Sequence, residues 1–243
     1  MNKAKNIVLT LAAASMLAAC GETATPKTGV AYALTNGASC VGYATVTVTG
    51  NKITDVTLQE VFLPADVTAT ESSEDTVDVE VTQWGKTSTK HYYKTVKFGT
   101  YTFTYDATKG YVSGNKTLGE ILADVKVAEE YYKAVDQNKL LVVKNGKDDA
   151  TIMSKNAMNK DINNYWPKSD TVKLGWKGNR DATVNWVKEH GIDGLLDAKI
   201  GDDKVWTVGD VKTGATWTNF NSADKNGAIS YAKLIVNAYN AAK

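Results

Sequence analysis

The chain has 243 residues, of which 43% are hydrophobic and 23% charged, and its formal net charge is +1. These values are ordinary for a globular protein, and a chain of this length can bury a sizeable core as one large domain or two small ones. Because basic and acidic residues are nearly equal in number, the composition gives no sign of the concentrated basic surface that nucleic-acid binding needs, and no nucleic-acid partner is expected. Arg180 is the only arginine, so sites that hold phosphate through paired arginine hydrogen bonds cannot be numerous.

The first twenty residues are typical of an export signal. Lys3 and Lys5 precede a short apolar run over residues 7–17, and small residues then lead to Cys20. The run is too short to remain in a bilayer as a spanning helix. The sequence Leu-Ala-Ala-Cys at its end resembles the lipobox of bacterial lipoproteins.

The lipobox resemblance implies a lipoprotein signal peptide over residues 1–19, a lipid on the Cys20 thiol and a short tether over residues 20–28. More than one acyl chain would then anchor the protein on the extracytoplasmic face of the cell membrane. A plain secretory signal with an incidental cysteine is the alternative. If Cys20 is lipidated, Cys40 is the remaining thiol, and its place beside a predicted strand favours a small buried hydrophobe over a reactive thiol.

The first half of the chain predicts antiparallel strands. Residues 43–49 alternate small or apolar side chains with threonine, the next three residues turn the chain, and residues 53–58 resume the alternation. A second stretch, over residues 76–112, places apolar side chains at every second position. The polar residues 68–75 between them predict a surface loop.

Helices are predicted mainly in the second half. Thr117 and Glu120 have the spacing of a capping box, and the apolar positions that follow predict a helix to about residue 135. Residues 181–198 predict a helix broken by glycine, and residues 228–242 predict an amphipathic helix. Strands first and helices after predict an α+β fold, with the C-terminal helix packed on the sheet.

Several familiar chemistries have no support in the sequence. There is no phosphate-binding loop, dinucleotide-binding glycine pattern or serine-hydrolase elbow. His91 and His190, the only histidines, lie about a hundred residues apart, so no metal site is expected. The acidic pairs at 148–149 and 202–203 adjoin lysines in turn-like sequence, and no catalytic residue is assigned to them.

One short segment stands apart from the rest. Residues 210–216 read Asp-Val-Lys-Thr-Gly-Ala-Thr and match D-x-x-[ST]-G-A-T, the flavinylation motif of the FMN-binding domain family. This family includes the flavin subunits of sodium-pumping quinone reductases and Rnf-type complexes, and flavin-bearing lipoproteins of extracellular electron transfer. The early hairpin also resembles the family's opening strands. The resemblance therefore predicts an FMN-binding domain over residues 29–243, with an unmatched insertion at about 60–200.

The resemblance implies FMN linked covalently, through a phosphoester, to the hydroxyl of Thr216. In the family a separate flavin transferase attaches FMN, using FAD and a divalent metal. Asp210 and Thr213 are expected to serve recognition and to shape the loop, whereas Gly214 and Ala215 are expected to leave the approach to the hydroxyl open. An ordinary exposed turn without flavin is the alternative.

The residues after the acceptor are expected to complete a flavin pocket. Trp217, or Trp206 upstream, could pack against the flavin ring. Thr218, with Asn219 and Ser222, is expected to cap a helix whose first amides face the phosphate. Residues 219–226 depart from the family, because they resemble an insertion ahead of this helix.

These expectations combine into a predicted function. The chain would be an exported, lipid-anchored flavoprotein that takes electrons from a quinol-linked or flavin-bearing membrane donor and passes them to an extracytoplasmic acceptor. A reductase of one specific small molecule is a second hypothesis, and it needs a substrate pocket within residues 60–200. A flavin-free binding lipoprotein, in which the motif is accidental, is the third.

Overall fold

The computed structural model describes residues 24–83 and 85–243. The predicted signal peptide and Cys20 lie outside the described residues. The strands are β1 (Lys27–Thr35), β2 (Cys40–Thr49), β3 (Lys52–Phe62), β4 (Thr76–Gln83), β5 (Lys86–Tyr93), β6 (Thr95–Phe98), β7 (Tyr101–Asp106), β8 (Gly110–Ser113), β9 (Lys116–Thr117), β10 (Leu141–Lys144), β11 (Lys147–Asp149), β12 (Lys199–Ile200), β13 (Trp206–Val208) and β14 (Val211–Lys212). The helices are α1 (Leu118–Leu122), α2 (Val125–Asp136), α3 (Lys155–Met158), α4 (Gly175–His190) and α5 (Tyr231–Ala241).

The fold is α+β, as the sequence predicts. Strands β1, β2 and β3 form an antiparallel meander, and a six-stranded sheet follows in the order β11-β10-β6-β7-β8-β9. Strands β12, β13 and β14 form a small third sheet, and β4 pairs with β5 as a separate hairpin. No described helix is long and apolar enough to cross a membrane.

The predicted hairpin is confirmed as β2 and β3, joined by a turn at Gly50 and Asn51. On β2, Ala44 and Val46 are fully buried while Thr45 between them is partly exposed, so the alternation in the sequence does mark the two faces of the sheet. Strand β1 begins at Lys27, so the last two residues of the predicted tether pair with β2.

The C-terminal helix α5 packs against β1 and β2. Small residues on β1 allow a close approach: a Cβ atom added to Gly29 would lie 2.0 Å from the carbonyl oxygen of Ala238 on α5. Ala31 and Ala33 continue this small-residue face, and Ile235 of α5 is completely buried in the same core. Helix α4 covers β3 on the same side, since Trp186 and Val187 join that core.

A second core lies between the meander, the six-stranded sheet and α2. Cys40 is buried in it, in agreement with the sequence prediction, and burial raises the pKa of its thiol to about 12. Tyr131 is completely buried there and donates a 2.7 Å hydrogen bond to the carbonyl oxygen of Phe62. Much of this core comes from residues 60–200, the stretch without a family resemblance.

The predicted helices form, with shifted bounds. The helix expected from Thr117 to about residue 135 is two helices, because Asp124 starts α2 by accepting a hydrogen bond from the Lys126 amide. The capping box of Thr117 and Glu120 is present at the start of α1. The helix predicted over residues 181–198 is α4, which begins six residues earlier, so that it includes the buried residues Trp176 and Asn179. It ends at His190, before the first of the two glycines expected to break it, and does not continue to residue 198.

Candidate functional site

The motif at 210–216 begins at the turn between β13 and β14 and continues into the loop that follows. Asp210 is exposed in the turn, and Val211 and Lys212 form β14. The ammonium of Lys212 lies 2.6 Å from a carboxylate oxygen of Asp203, across the small sheet. The first three motif residues therefore lie on the surface, where a second protein can reach them.

Thr213 closes the loop around the main chain of Trp206. Its amide and its hydroxyl both donate to the carbonyl oxygen of Trp206, at 2.8 and 3.0 Å, and the hydroxyl accepts a hydrogen bond from the amide of Ala215. The carbonyl oxygen of Ala215 in turn accepts from the amide of Trp206 at 3.0 Å. Thr213 is buried, so its hydroxyl fixes the shape of the loop.

Gly214 and Ala215 are small for two different reasons. Gly214 is exposed and has a φ of 76°, a left-handed conformation that glycine adopts without strain. Ala215 has no exposed surface and belongs to the core beneath the loop, so a larger side chain there would not fit. The structure thus gives Ala215 a packing role, which differs from the expectation that it keeps the approach to Thr216 open.

Thr216 lies between this buried alanine and the buried Trp217, and the residue itself is partly exposed. The side-chain oxygen of Asn179 on α4 accepts three hydrogen bonds from this segment: from the Thr216 amide at 2.6 Å, the Trp217 amide at 3.1 Å and the Thr216 hydroxyl at 3.2 Å. Asn179 is completely buried. The hydroxyl predicted to accept FMN and the two amides beside it are therefore bound by one buried side chain.

Trp217 and Trp206, the two indoles expected to contact a flavin, both lie in the core. The Trp217 ring packs 5.0 Å from Trp176 and 4.3 Å from Tyr231, measured between ring centroids. Trp206 stacks on Phe220 at 5.4 Å, and its Nε1 donates to the carbonyl oxygen of Trp217 at 2.8 Å. Little of either ring is open to an external ligand, so neither side chain would contact a flavin without moving.

The indole Nε1 of Trp217 is buried and has no hydrogen-bond partner among the described residues. The same is true of Trp186. A buried donor without a partner is uncommon in proteins.

The helix cap expected at Thr218, Asn219 and Ser222 does not form. Helix α5 begins at Tyr231, and Ser230 caps it by accepting a hydrogen bond from the Lys233 amide at 3.2 Å. The amide of Tyr231 donates to the carbonyl oxygen of Asn219, and the amide of Ala232 donates to that of Phe220. The chain's own carbonyls thus occupy the amides that were expected to face a phosphate. Phe220 anchors this folded-back segment in the core, whereas Thr218 is exposed.

A buried ion pair lies behind the aromatic cluster of Trp176, Trp217 and Tyr231. The carboxylate of Glu60 on β3 binds the ammonium of Lys160 and accepts hydrogen bonds from the hydroxyls of Thr35 and Tyr231. Both charged side chains are buried. Although burial alone would lower the pKa of Lys160, the charge of Glu60 raises it above its usual value.

Aromatic rings enclose the same ammonium. It lies 4.9 Å from the ring centre of Trp176, 4.7 Å from Tyr165 and 5.2 Å from Phe62. The next residue, Asp161, accepts a 2.9 Å hydrogen bond from the indole of Trp176 and pairs with Arg180. Residues 160 and 161 therefore fasten the start of α4, and with it Asn179, to strand β3.

Sequence reasoning did not find Asn179, Lys160 or Trp176. Asn179 precedes Thr216 by 37 positions and lies within a helix whose start was not predicted. Lys160 stands in a polar stretch that resembles solvent-exposed loop. Only Trp176, a large residue in an otherwise polar segment, offered a signal.

The histidines take no part in this arrangement. The Nδ1 atom of His91 lies 2.7 Å from a carboxylate oxygen of Asp78, within hydrogen-bond distance, on the β4–β5 hairpin. His190 is the last residue of α4, and its ring centre lies 4.9 Å from that of Trp186. Within residues 24–83 and 85–243, no cluster of His, Cys, Asp and Glu could hold a metal ion.

No known protein family, curated protein or solved structure matches the chain. The resemblance to the FMN-binding domain family therefore rests on the sequence of residues 210–216 and of the early hairpin. Covalent attachment to Thr216 requires an accessible residue, and Thr216 is partly exposed although Ala215 and Trp217 on either side of it are buried.

Proposed function

We propose that this protein is an exported, lipid-anchored flavoprotein that carries FMN covalently on Thr216 and relays electrons to an extracytoplasmic acceptor. One observation carries the proposal: the motif residues lie in a turn and a hydrogen-bonded loop, and the last of them, Thr216, is partly exposed. The same residues inside a buried strand or helix would not be accessible to a modifying enzyme.

Attachment is a phosphoryl transfer in which this chain supplies the acceptor. The Oγ atom of Thr216 would form a bond to the phosphorus of the FMN half of FAD, the pyrophosphate bond would break, and AMP would leave. A threonine hydroxyl is a weak nucleophile, so a base on the transferase takes its proton and a divalent metal neutralises the phosphates. Asp210 is exposed and available for recognition, while Thr213, Gly214 and Ala215 hold the loop in shape.

Bound FMN would supply one- and two-electron redox chemistry. The protein's contribution is to retain the group and to orient it. A covalent link prevents loss of the cofactor outside the cytoplasm. A lipid on Cys20 would keep the domain near a quinol-linked or flavin-bearing membrane donor, since two or more acyl chains give stable anchoring.

The proposal is tested by expressing the full chain with a flavin transferase and measuring in-gel flavin fluorescence after denaturation. The wild-type protein should fluoresce, and Thr216→Val should not. Thr218→Val is the matched control, because it changes an exposed threonine two residues away, and it should fluoresce like the wild type. Thr216→Ser keeps a hydroxyl and tests whether the acceptor must be threonine. Absence of fluorescence in the wild type, or fluorescence in Thr216→Val, would overturn the proposal.

A further inference from the structure

Asn179 is a polar side chain with no exposed surface, and both of its side-chain polar atoms bind main-chain groups. Its Nδ2 donates to the carbonyl oxygen of Gly175 at 2.8 Å, within α4. Its Oδ1 accepts from the amides of Thr216 and Trp217. This pattern fixes the orientation of the amide, because a flipped side chain would place its NH₂ group against two N–H donors.

Few other side chains satisfy these contacts. Alanine would remove the acceptor that binds the amides of Thr216 and Trp217, which costs free energy at each amide left without a partner. Aspartate keeps an acceptor for the two amides but turns a second oxygen toward the carbonyl of Gly175. Asparagine alone offers an acceptor on one side and a donor on the other at this length.

Attachment of a phosphate ester to Thr216 would remove one of the hydrogen bonds of Asn179 and leave the others. The hydrogen bond from the Thr216 hydroxyl, at 3.2 Å, disappears once the oxygen is esterified, because its proton is lost. The two amide hydrogen bonds do not involve the hydroxyl and remain. Asn179 can therefore bind the amides on both sides of the Thr216 Cα atom whether or not the hydroxyl is esterified.

We infer that Asn179 is the positioning residue of the flavin site: by fixing the main chain of Thr216 and Trp217, it sets the direction in which the attached group leaves the surface. This inference rests on the proposed attachment of FMN to Thr216. Because Asn179 lies on α4, the position of the group is then coupled to the packing of that helix against β3.

Time-resolved anisotropy of the covalent flavin in the full-length protein tests the inference. The slow component of the decay reports flavin that rotates with the whole protein. In Asn179→Ala this component should fall to about half or less of its wild-type amplitude, because the loop is released. Asn179→Asp should restore it, since the acceptor for both amides is retained even though stability falls.

Thr183→Val is the matched control for stability. Thr183 is also completely buried on α4, and its hydroxyl donates to the Asn179 carbonyl at 2.9 Å without contacting Thr216. This variant should lose stability and keep the slow component. Unchanged anisotropy in Asn179→Ala, or an equal loss in Thr183→Val, would overturn the inference. A wild-type protein without flavin would instead overturn the proposed function.

Hydrogen exchange of the wild-type protein provides a test that needs no variant. The amides of Thr216 and Trp217 should be protected both before and after flavinylation, whereas the amide of the exposed Thr218 should exchange faster. If all three exchange alike, or if protection of residues 216 and 217 disappears on modification, Asn179 does not hold the acceptor.

Discussion

The ring of Trp217 lies 4.3 Å from the ring of Tyr231, which is the first residue of the C-terminal helix. The hydroxyl of Tyr231 donates to the buried carboxylate of Glu60 at 3.1 Å. Trp217, which follows the proposed acceptor, thus contacts helix α5 at Tyr231, and the hydroxyl of Tyr231 binds the buried ion pair. Stability of the core and order at the acceptor loop should therefore change together.

Replacing Trp217 tests this connection. Trp217→Ala should reduce the free energy of unfolding by about 3–5 kcal/mol, because it removes a large buried ring between Trp176 and Tyr231. Urea denaturation followed by circular dichroism measures the change. Thr218→Ala, at an exposed neighbouring position, should stay within about 0.5 kcal/mol of wild type. Equal stability of the two variants would show that Trp217 does not pack as described.

Replacing only one member of the ion pair of Glu60 and Lys160 should lower the free energy of unfolding. Lys160→Met leaves a buried carboxylate without its cation and should destabilise the protein by about 3–5 kcal/mol. Adding Glu60→Leu removes the orphaned charge, so the double variant should lose less than the sum of the two single variants. Strict additivity in urea denaturation would contradict a direct interaction.

Stability should fall steeply at alkaline pH. Burial raises the pKa of Tyr131 well above its usual value, and burial, followed by the charge of Glu60, does the same for Tyr231. In the unfolded chain these phenols ionise near pH 10. The native state thus keeps protons that the unfolded state loses, so the contribution of these phenols is complete below about pH 10 and decreases as the pH rises further. The buried Cys40 thiol, with its pKa raised to about 12, adds a decrease that begins at about pH 8.5.

Urea denaturation at several pH values between 8 and about 11 measures this decrease. Tyr131→Phe is the control, because it removes one of the buried phenols and should reduce the slope of stability against pH. Stability that stays constant or rises over this range would contradict the burial of these side chains.

Cys40 should not react with thiol reagents in the folded protein. Its thiol is buried, and its pKa is raised to about 12, so almost no thiolate is present at pH 8. In a Cys20→Ser background, an aromatic disulfide reagent should label Cys40 only after denaturant is added. Rapid complete labelling without denaturant would show that the second core is open at this point.

The sequence allowed strands β2 and β3, the capping box at Thr117 and the C-terminal helix to be predicted, because each depends on residues close together in the chain. Alternation of threonine with alanine and valine in β2 identifies its buried face directly. The acceptor position was predicted from a motif of the same local kind. These features need no knowledge of tertiary contacts.

The support of the acceptor could not be predicted in this way. Asn179 meets Thr216 only because α4 packs beside the small sheet, and an asparagine in a polar helix is usually exposed to solvent. Lys160 and Glu60 are a hundred positions apart, and lysine is almost never fully buried unless it is paired. The smallness of Ala215 was attributed to access, although its actual cause is the core beneath it.

The most direct test of the central claim is the location of flavin in the protein. Trypsin cleaves after Lys212 and Lys225, so one peptide, residues 213–225, contains Thr213, Thr216, Thr218 and Ser222. Tandem mass spectrometry of this peptide, from full-length protein co-expressed with a flavin transferase, should find the mass of FMN on Thr216. An unmodified peptide, or flavin on one of the other three hydroxyl residues, would contradict the account.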